Sequence, residues 1–288
     1  MVSSDITVII PAYNEESSLP NVLERIKKLG RDYEIIVVDD GSGDGTSACA
    51  AGTTTRLVRH ETNRGYGASL KSGIRAASNE IIAICDGDGT YPVEAIPGLV
   101  DQLDKCDMAV GARNSKSTGI SMPRRWAKLI LSCLANYLAG TRIPDINSGL
   151  RAFRRTQALA FFNILPSGFS FTTTITLAML TNNYIVTFVP IEYYKRSGKS
   201  KIKPLRDFTQ FISQILRTVM YFNPMKVFLP ASIFMAAIAG GVFFYSLLFA
   251  DKILDTTVVI FFMTAIQLFA IGMLAELIEK RSNRINDS

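Results

Sequence analysis

The sequence predicts an α/β domain on a parallel-rich sheet with flanking helices, followed by an interfacial amphipathic helix and a two-helix transmembrane hairpin. Three observations carry this expectation. Short, continuous apolar runs alternate with helical patterns through the first half, as in a parallel sheet whose strands are buried on both faces. Acidic, glycine-rich turns follow the strands. Two long uncharged stretches lie beyond Met225.

Ile6–Ile10 reads as a buried strand ended by Pro11, and Leu19, Val22, Leu23, Ile26 and Leu29 then recur at helical spacing, with Gly30 as a stop. Glu34–Asp39 is a second strand, Leu57–His60 a short third and Glu80–Cys85 a further one. A helix is expected from about Tyr66 to Ala77, then helix 93–104 and strand 107–112. Ligands of such sheets bind beyond the carboxyl ends of the strands. Asp39-Asp40 and Asp86-Gly-Asp88 fall at that edge.

Composition narrows the class. The 288 residues suit one or two domains, and 48% hydrophobic against 19% charged residues excludes a disordered, solvating chain. Lys plus Arg is 31 against 25 acids, a net charge of +6. Mean hydropathy of +0.21 is high for a wholly soluble enzyme, and the surplus sits after Met225. Cys49, Cys85, Cys106 and Cys133 form no CxxC pair, and His60 is the only histidine. Reduced thiols acting as small hydrophobes are expected, and a zinc site lacks ligands. Met1–Asp5 carries no basic leader, and Ile6–Ile10 is too short for a signal core of ~7–15 residues. The first domain is therefore expected to stay where it was made.

Lys195 to Arg206 holds six basic residues and no acid. From Pro204, Leu205, Phe208, Phe211, Ile212, Ile215, Leu216, Val219 and Met220 fall on one helical face, which is read as a helix lying on a membrane. Val227–Ala250 and Val258–Ala275 are long enough to span a hydrocarbon core of ~30 Å. Basic residues flank the pair at Arg217, Lys226, Lys280, Arg281 and Arg284, so both ends are placed in the cytosol and the loop 251–255 outside. The organisation expected is a cytosolic domain over 1–203, a juxtamembrane helix over 204–223, a hairpin over 224–279 with spans at about 227–250 and 257–277, and a basic tail over 280–288.

Three motifs carry chemistry. Pro11-Ala-Tyr-Asn-Glu-Glu16 can set Tyr13 against a base or ribose with Glu15 in hydrogen-bonding reach. In Asp39-Asp-Gly-Ser-Gly-Asp-Gly-Thr46, two carboxylates leave a strand while glycines allow close backbone approach; Asp44 or Thr46 also reads as a helix cap. Asp86-Gly-Asp88-Gly-Thr-Tyr-Pro92 is the strongest signal. Two carboxylates at a strand end suit Mg²⁺ or Mn²⁺, which is held by one or two carboxylates together with substrate phosphates.

These motifs, with Asn63–Ser69 between them, resemble family-2 glycosyltransferases of the GT-A fold. Val110–Arg113, Asp145–Arg151 and Arg196–Lys201 resemble the polyprenyl-phosphate branch, which includes dolichol-phosphate mannose synthases and enzymes that glucosylate undecaprenyl phosphate. The resemblance covers about residues 5–203 and implies a nucleotide-sugar donor (UDP-glucose or GDP-mannose type), a polyprenyl-phosphate acceptor, inversion at the sugar and Mg²⁺ or Mn²⁺ as cofactor. It implies Pro11, Tyr13, Glu15 and Asp40 at the nucleoside, and Asp86 and Asp88 at metal and diphosphate, with Gly87 between them. Arg113, Arg151, Arg196 and Lys201 would face donor or acceptor phosphates. Asp88, Asp145, Arg113 and Arg151 are the residues expected to carry the reaction, Asp145 by orienting the arginines rather than as an obligate base. One position departs: Thr90 stands where related enzymes often have Gln.

A polyprenyl phosphate is already ionised at neutral pH, so it needs cations to dock it more than a base to activate it. The expected location is a cell or ER-type membrane, multi-pass, with no nucleic-acid partner; homo-oligomerisation is left open. The rival readings are a processive polysaccharide synthase, for which two spans are few and Met122–Trp126 lacks the Gln of a Gln-x-x-Arg-Trp motif, and a non-catalytic membrane scaffold that binds nucleotide sugars.

Overall fold

The computed structural model describes residues 6–30, 32–51, 55–113, 133, 135–137, 139–168, 170–194, 213, 216–217, 219–221, 223–249 and 255–286, with backbone alone at 255 and 279–286. The chain divides into two units between Gln214 and Ile215.

The first unit is built on a seven-stranded mixed sheet. Its elements are β1 (Ile6–Ala12), α1 (Leu19–Lys27), β2 (Tyr33–Asp39), α2 (Thr46–Ala51), β3 (Arg56–Arg59), α3 (Tyr66–Ala76) and β4 (Ile81–Ile84). Then come α4 (Ile96–Asp101), flanked by 3₁₀ turns at Val93–Ala95 and Gln102–Asp104, and β5 (Met108–Arg113). β6 (Arg151–Arg154), α5 (Arg155–Ala160), α6 (Phe171–Thr181) and β7 (Val186–Ile191) complete it. The strand order is β3-β2-β1-β4-β6-β5-β7. All strands run parallel except β6, which pairs antiparallel with both β4 and β5. The sequence patterning does not reveal this strand or its direction, because its four residues, Arg-Ala-Phe-Arg, make no apolar run.

Two sequence expectations shift. β1 continues through Pro11 to Ala12, pairing with β2 over its whole length but with β4 only over Ile6–Ile9. Pro11 therefore needs no donor toward β4, which is where a strand tolerates proline. Helix 93–104 is a short α-helix with tightened ends rather than one regular helix. Elsewhere the periodicity holds: α1 buries Leu19, Val22, Leu23 and Ile26 and carries Arg25 and Lys27 in its last turn, favourable at the negative end of the helix dipole. Gly30 then adopts φ +70°, the left-handed conformation that ends helices. Cys85 and Cys106 are buried as small hydrophobes, whereas Cys133 is exposed, and all four thiols are free.

Topology gathers the motifs. From β1 the chain steps outward to β2 and β3, then returns to β4 on the other side, so the switch point lies between β1 and β4. Ligands of open α/β sheets bind there. Because β6 is reversed, its beginning at Arg151 shares this edge with the ends of β1, β2, β4, β5 and β7.

The second unit contains α7 (Met225–Phe249) and α8 (Asp255–Asn286), both long and apolar enough to cross a membrane. Small residues form their seam: Ser232, Ala239 and Ser246 are buried at seven-residue spacing on α7, as are Ala265 and Gly272 on α8. The Ser232 hydroxyl donates to the Ala265 carbonyl at 2.8 Å, and a Cβ at Gly272 would stand 2.7 Å from Phe228 Cβ. This is the close small-residue packing that joins helices in lipid. Large apolar side chains such as Phe234, Phe244, Leu248 and Ile271 point outward. α8 continues as helix to Asn286, so residues 280–286 of the basic tail are helical. Ser213, Leu216, Arg217 and Val219–Tyr221 are helical too, but most of 204–223, and with it the amphipathic face expected there, lies outside the described residues.

Candidate active site

The β1 and β2 loops are laced together. Asn14, at φ +54°, receives the Gly43 amide on its side-chain oxygen (2.9 Å), and its own amide donates to Ser42 Oγ (2.9 Å). The Glu15 amide donates to Thr46 Oγ1, and the Gly45 amide to Glu16 Oε2. The Asp44 carboxylate accepts the Thr46 amide at 3.0 Å, so it caps α2, the plainer role the sequence allowed it. Tyr13 and Glu15 are half-buried at this edge, with Ser18 Oγ donating to Glu15 Oε2 at 2.8 Å. Pro11 is buried under the loop.

The Asp39-Asp40 pair turns inward. Asp39 is fully buried and accepts the Ser42 amide at 3.0 Å and the Ser47 hydroxyl. Asp40 is 4% exposed; its Oδ1 accepts His60 Nδ1 (2.7 Å) and the Arg64 amide (2.9 Å), and its Oδ2 the Gly65 amide (2.8 Å). The sequence placed Asp40 at the nucleoside; here its carboxylate organises the chain that leads into α3.

Asp86 and Asp88 are different. Each stands half-exposed beyond β4, with a neutral hydroxyl on one oxygen. Tyr66 donates to Asp86 Oδ1 at 2.8 Å. Thr90 donates to Asp88 Oδ1 through its amide (3.1 Å) and its hydroxyl (2.6 Å). Loss of solvent and the adjacent Asp86 charge push the Tyr66 phenol well above its ordinary range, so it stays a donor. Gly87 packs on β1, where an added Cβ would lie 3.3 Å from Ile10 Cγ2. Gly149 lies against the carboxylate itself: a Cβ there would stand 2.6 Å from Asp86 Oδ2. Tyr91 holds this approach by accepting the Gly149 amide at 2.8 Å.

Beside this pair, Arg113 leaves β5 and grips Asp145 through Nε (2.6 Å) and Nη2 (2.9 Å), while its amide donates to the same carboxylate at 3.2 Å. Its guanidinium carbon lies 5.2 Å from the centre of the Tyr193 ring, which meets Tyr91 edge-on. Burial alone would raise the Asp145 carboxyl, but the hydrogen bonds and charge of Arg113 hold it below its usual value. A carboxylate so engaged is a weak base and a good orienting group.

Arg151 is not brought to the open edge. It is fully buried, with Nε and Nη2 on the Ser148 carbonyl and Nη1 on the Thr172 carbonyl and Thr176 Oγ1, both at 3.1 Å. Its donors tie the Asp145–Gly149 turn to α6, a structural use in place of the phosphate contact expected from sequence. Arg196 and Lys201 lie outside the described residues. Tyr66, Tyr91, Thr90 and Gly149 are the positions sequence reasoning passed over as site residues, although all four stand inside motifs it quoted.

Two carboxylates of hard oxygen character fit a divalent cation. Among the described residues no third acidic, histidine or cysteine side chain joins them, which matches Mg²⁺-type sites that rely on substrate phosphates to complete the shell.

A reversed strand in an otherwise parallel sheet, with acidic turns at the switch point, makes an α/β unit whose ligand site lies at that edge. Residues 7–160 match the glycosyl transferase family 2 model and residues 223–280 the GtrB C-terminal hairpin. The chain belongs to glycosyl transferase family 2. It is 31% identical over 203 residues to the dolichyl-phosphate hexose transferase of Haloferax volcanii, covering 69% of this chain and 87% of that one. It is 33% identical over 213 residues to the polyprenol monophosphomannose synthase of Mycolicibacterium smegmatis (68% and 80% covered). Against the undecaprenyl-phosphate 4-deoxy-4-formamido-L-arabinose transferase of Pseudomonas fluorescens it is 28% identical over 301 aligned positions (94% and 83%), a match that takes in the hairpin. The first unit shares its fold with glucosyl-3-phosphoglycerate synthase from Mycobacterium tuberculosis, in complex with Mn²⁺, UDP and phosphoglyceric acid, at a TM-score of 0.61 and 21% identity over 75% of this chain and 78% of that one. The protein is thus a glycosyltransferase with a GT-A-like sheet and an apolar two-helix hairpin.

Proposed function

We propose that this chain transfers one sugar from a nucleotide-sugar donor of the UDP-glucose or GDP-mannose type to a polyprenyl monophosphate, with inversion, at the cytosolic face of a membrane. The observation that carries the reading is the meeting of two chemistries at one sheet edge: the half-exposed Asp86 and Asp88, and the Arg113–Asp145 fork. The apolar hairpin supports a lipid acceptor, and the named relatives, with their polyprenyl phosphates, point the same way. Lys and Arg on the outer flanks of both spans favour a cytosolic catalytic unit and cytosolic termini.

The residues divide the work. Asp86 and Asp88 would hold Mg²⁺ or Mn²⁺, which when bound neutralises charge on the leaving diphosphate. Tyr66 and Thr90 steady these carboxylates by donating to Oδ1 of each. Tyr13 and Glu15 are set to meet the nucleoside, backed by Pro11 and the laced β1–β2 loops. Arg113 commits Nε and Nη2 to Asp145, which presents Nη1 to a phosphate in a fixed direction. Asp145 positions that arginine and takes no proton. The acceptor phosphate enters ionised and attacks without a general base. Arg196 and Lys201 add positive charge toward the same phosphates or the headgroups.

The test uses the full chain in membranes, supplied with undecaprenyl or dolichyl phosphate, Mg²⁺ or Mn²⁺, and a panel of radiolabelled nucleotide sugars. The expected result is one sugar per lipid in the chloroform/methanol phase with release of nucleoside diphosphate. Alkali-resistant long chains would replace the reading with a processive synthase. Nucleotide-sugar binding without diphosphate release would replace it with a scaffold.

A further inference from the structure

The only histidine sits at the head of a hydrogen-bonded line that ends on Asp86. His60 is 6% exposed, and its Nδ1 lies 2.7 Å from Asp40 Oδ1. An ionised carboxylate only accepts, so Nδ1 carries the proton toward Asp40, and Nε2 lies 2.9 Å from Ser72 Oγ. The same Asp40 carboxylate accepts the amides of Arg64 and Gly65. The next residue, Tyr66, opens α3 and donates to Asp86 Oδ1. The backbone there is gripped from the other side too: Ala68 donates to the Ser167 carbonyl at 3.0 Å, and a Cβ on Gly65, at φ +99°, would stand 2.6 Å from that oxygen. The start of α3 is thus held from two sides, by the Asp40 carboxylate and by the Ser167 carbonyl.

We propose that His60 is a positioning residue that sets the Asp86 carboxylate through Asp40 and Tyr66. By orienting Asp40 it fixes the Arg64 and Gly65 amides, and through them the place from which the Tyr66 phenol reaches Asp86. The acidic turn after β2 is in this way coupled to the one after β4 without touching it. The inference rests on the proposed sugar transfer for its kinetic consequences and on geometry alone for its structural ones.

The test compares His60→Gln, His60→Asn, Tyr66→Phe and the Gln/Phe double variant in the full-length protein. An asparagine amide occupies the Nδ1 position and keeps the bond to Asp40; glutamine reaches toward the Nε2 position and loses it. His60→Gln is expected to raise the Mn²⁺ concentration for half-maximal transfer about five- to tenfold, the worth of one hydrogen bond. Tyr66→Phe moves it in the same direction, and His60→Asn stays within about twofold of the parent by the same arithmetic. Since both changes break one line, the double variant exceeds Tyr66→Phe by no more than about twofold. Amide hydrogen exchange supplies the readout independent of activity: peptides covering 62–67 exchange faster in His60→Gln and as in the parent in His60→Asn. Multiplying effects in the double variant, a lowered melting point with unchanged Mn²⁺ dependence, or unchanged exchange over 62–67 would each overturn the proposal. A parent enzyme that transfers no sugar while the exchange pattern holds would sink the functional reading and leave the line intact.

Discussion

Two acidic turns stand at the ends of parallel strands in this sheet, and they share little beyond composition. Asp39 and Asp40 are buried and take their partners from backbone amides, hydroxyls and the one histidine. Asp86 and Asp88 are half-exposed, and each is steadied by a neutral hydroxyl donor. A buried carboxylate surrounded by its own chain's donors is an organiser of backbone. A partly solvated one, steadied by a hydroxyl at the sheet edge, stands where the proposed function places the cation. The difference is one of burial.

The sharpest way to break that contrast is to remove one carboxylate from each turn. Asp88→Ala is expected to lower sugar transfer at least ~10³-fold, about 4 kcal/mol of barrier, while the melting temperature stays within a few degrees. Asp40→Asn is expected to do the reverse in kind. It leaves at least one buried donor badly paired and costs roughly 1–3 kcal/mol of stability, read as a melting point lower by several degrees. If Asp88→Ala unfolded the protein, or Asp40→Asn left its melting point unchanged, the two turns would not differ as described.

A smaller effect tests the orienting hydroxyls. Thr90→Val keeps the shape and the amide bond and removes the hydroxyl donor to Asp88 Oδ1, and the loss of one such bond corresponds to about tenfold in transfer at limiting Mn²⁺. Thr90→Ser retains the hydroxyl and is expected to stay within about threefold. Equal losses in both would mean that the methyl group, not the hydrogen bond, is what the site uses.

How much of this was legible beforehand follows the same divide. The strand ends, the acidic motifs and the hairpin were readable because each is written locally, as an apolar run, a turn or a span. The reversed strand β6 was not, since its four residues, Arg-Ala-Phe-Arg, make no apolar run. Nor was the inward turn of Asp40, which depends on His60 and Arg64 arriving from beyond the next strand. The family resemblance set Arg151 facing a phosphate, and only the packing of α6 shows its donors on the Ser148 and Thr172 carbonyls.

Asp145 supplies a third kind of carboxylate, held by a cation, and its prediction is the smallest. In the folded protein Arg113 keeps its carboxyl below the ordinary aspartate value despite burial. A depressed folded value means that the ionised form contributes stability above the unfolded pKa, and that this contribution fades as pH falls from that value through the folded one. Arg113→Met removes the fork and leaves the burial, which acts alone to raise the carboxyl. Acid unfolding of the variant should therefore begin at higher pH than in the parent, a displacement of less than about one pH unit for a single group. Melting curves collected between neutral pH and about pH 3 read it directly. Coincident acid limbs for the two proteins would show that the fork does not hold the Asp145 charge in place.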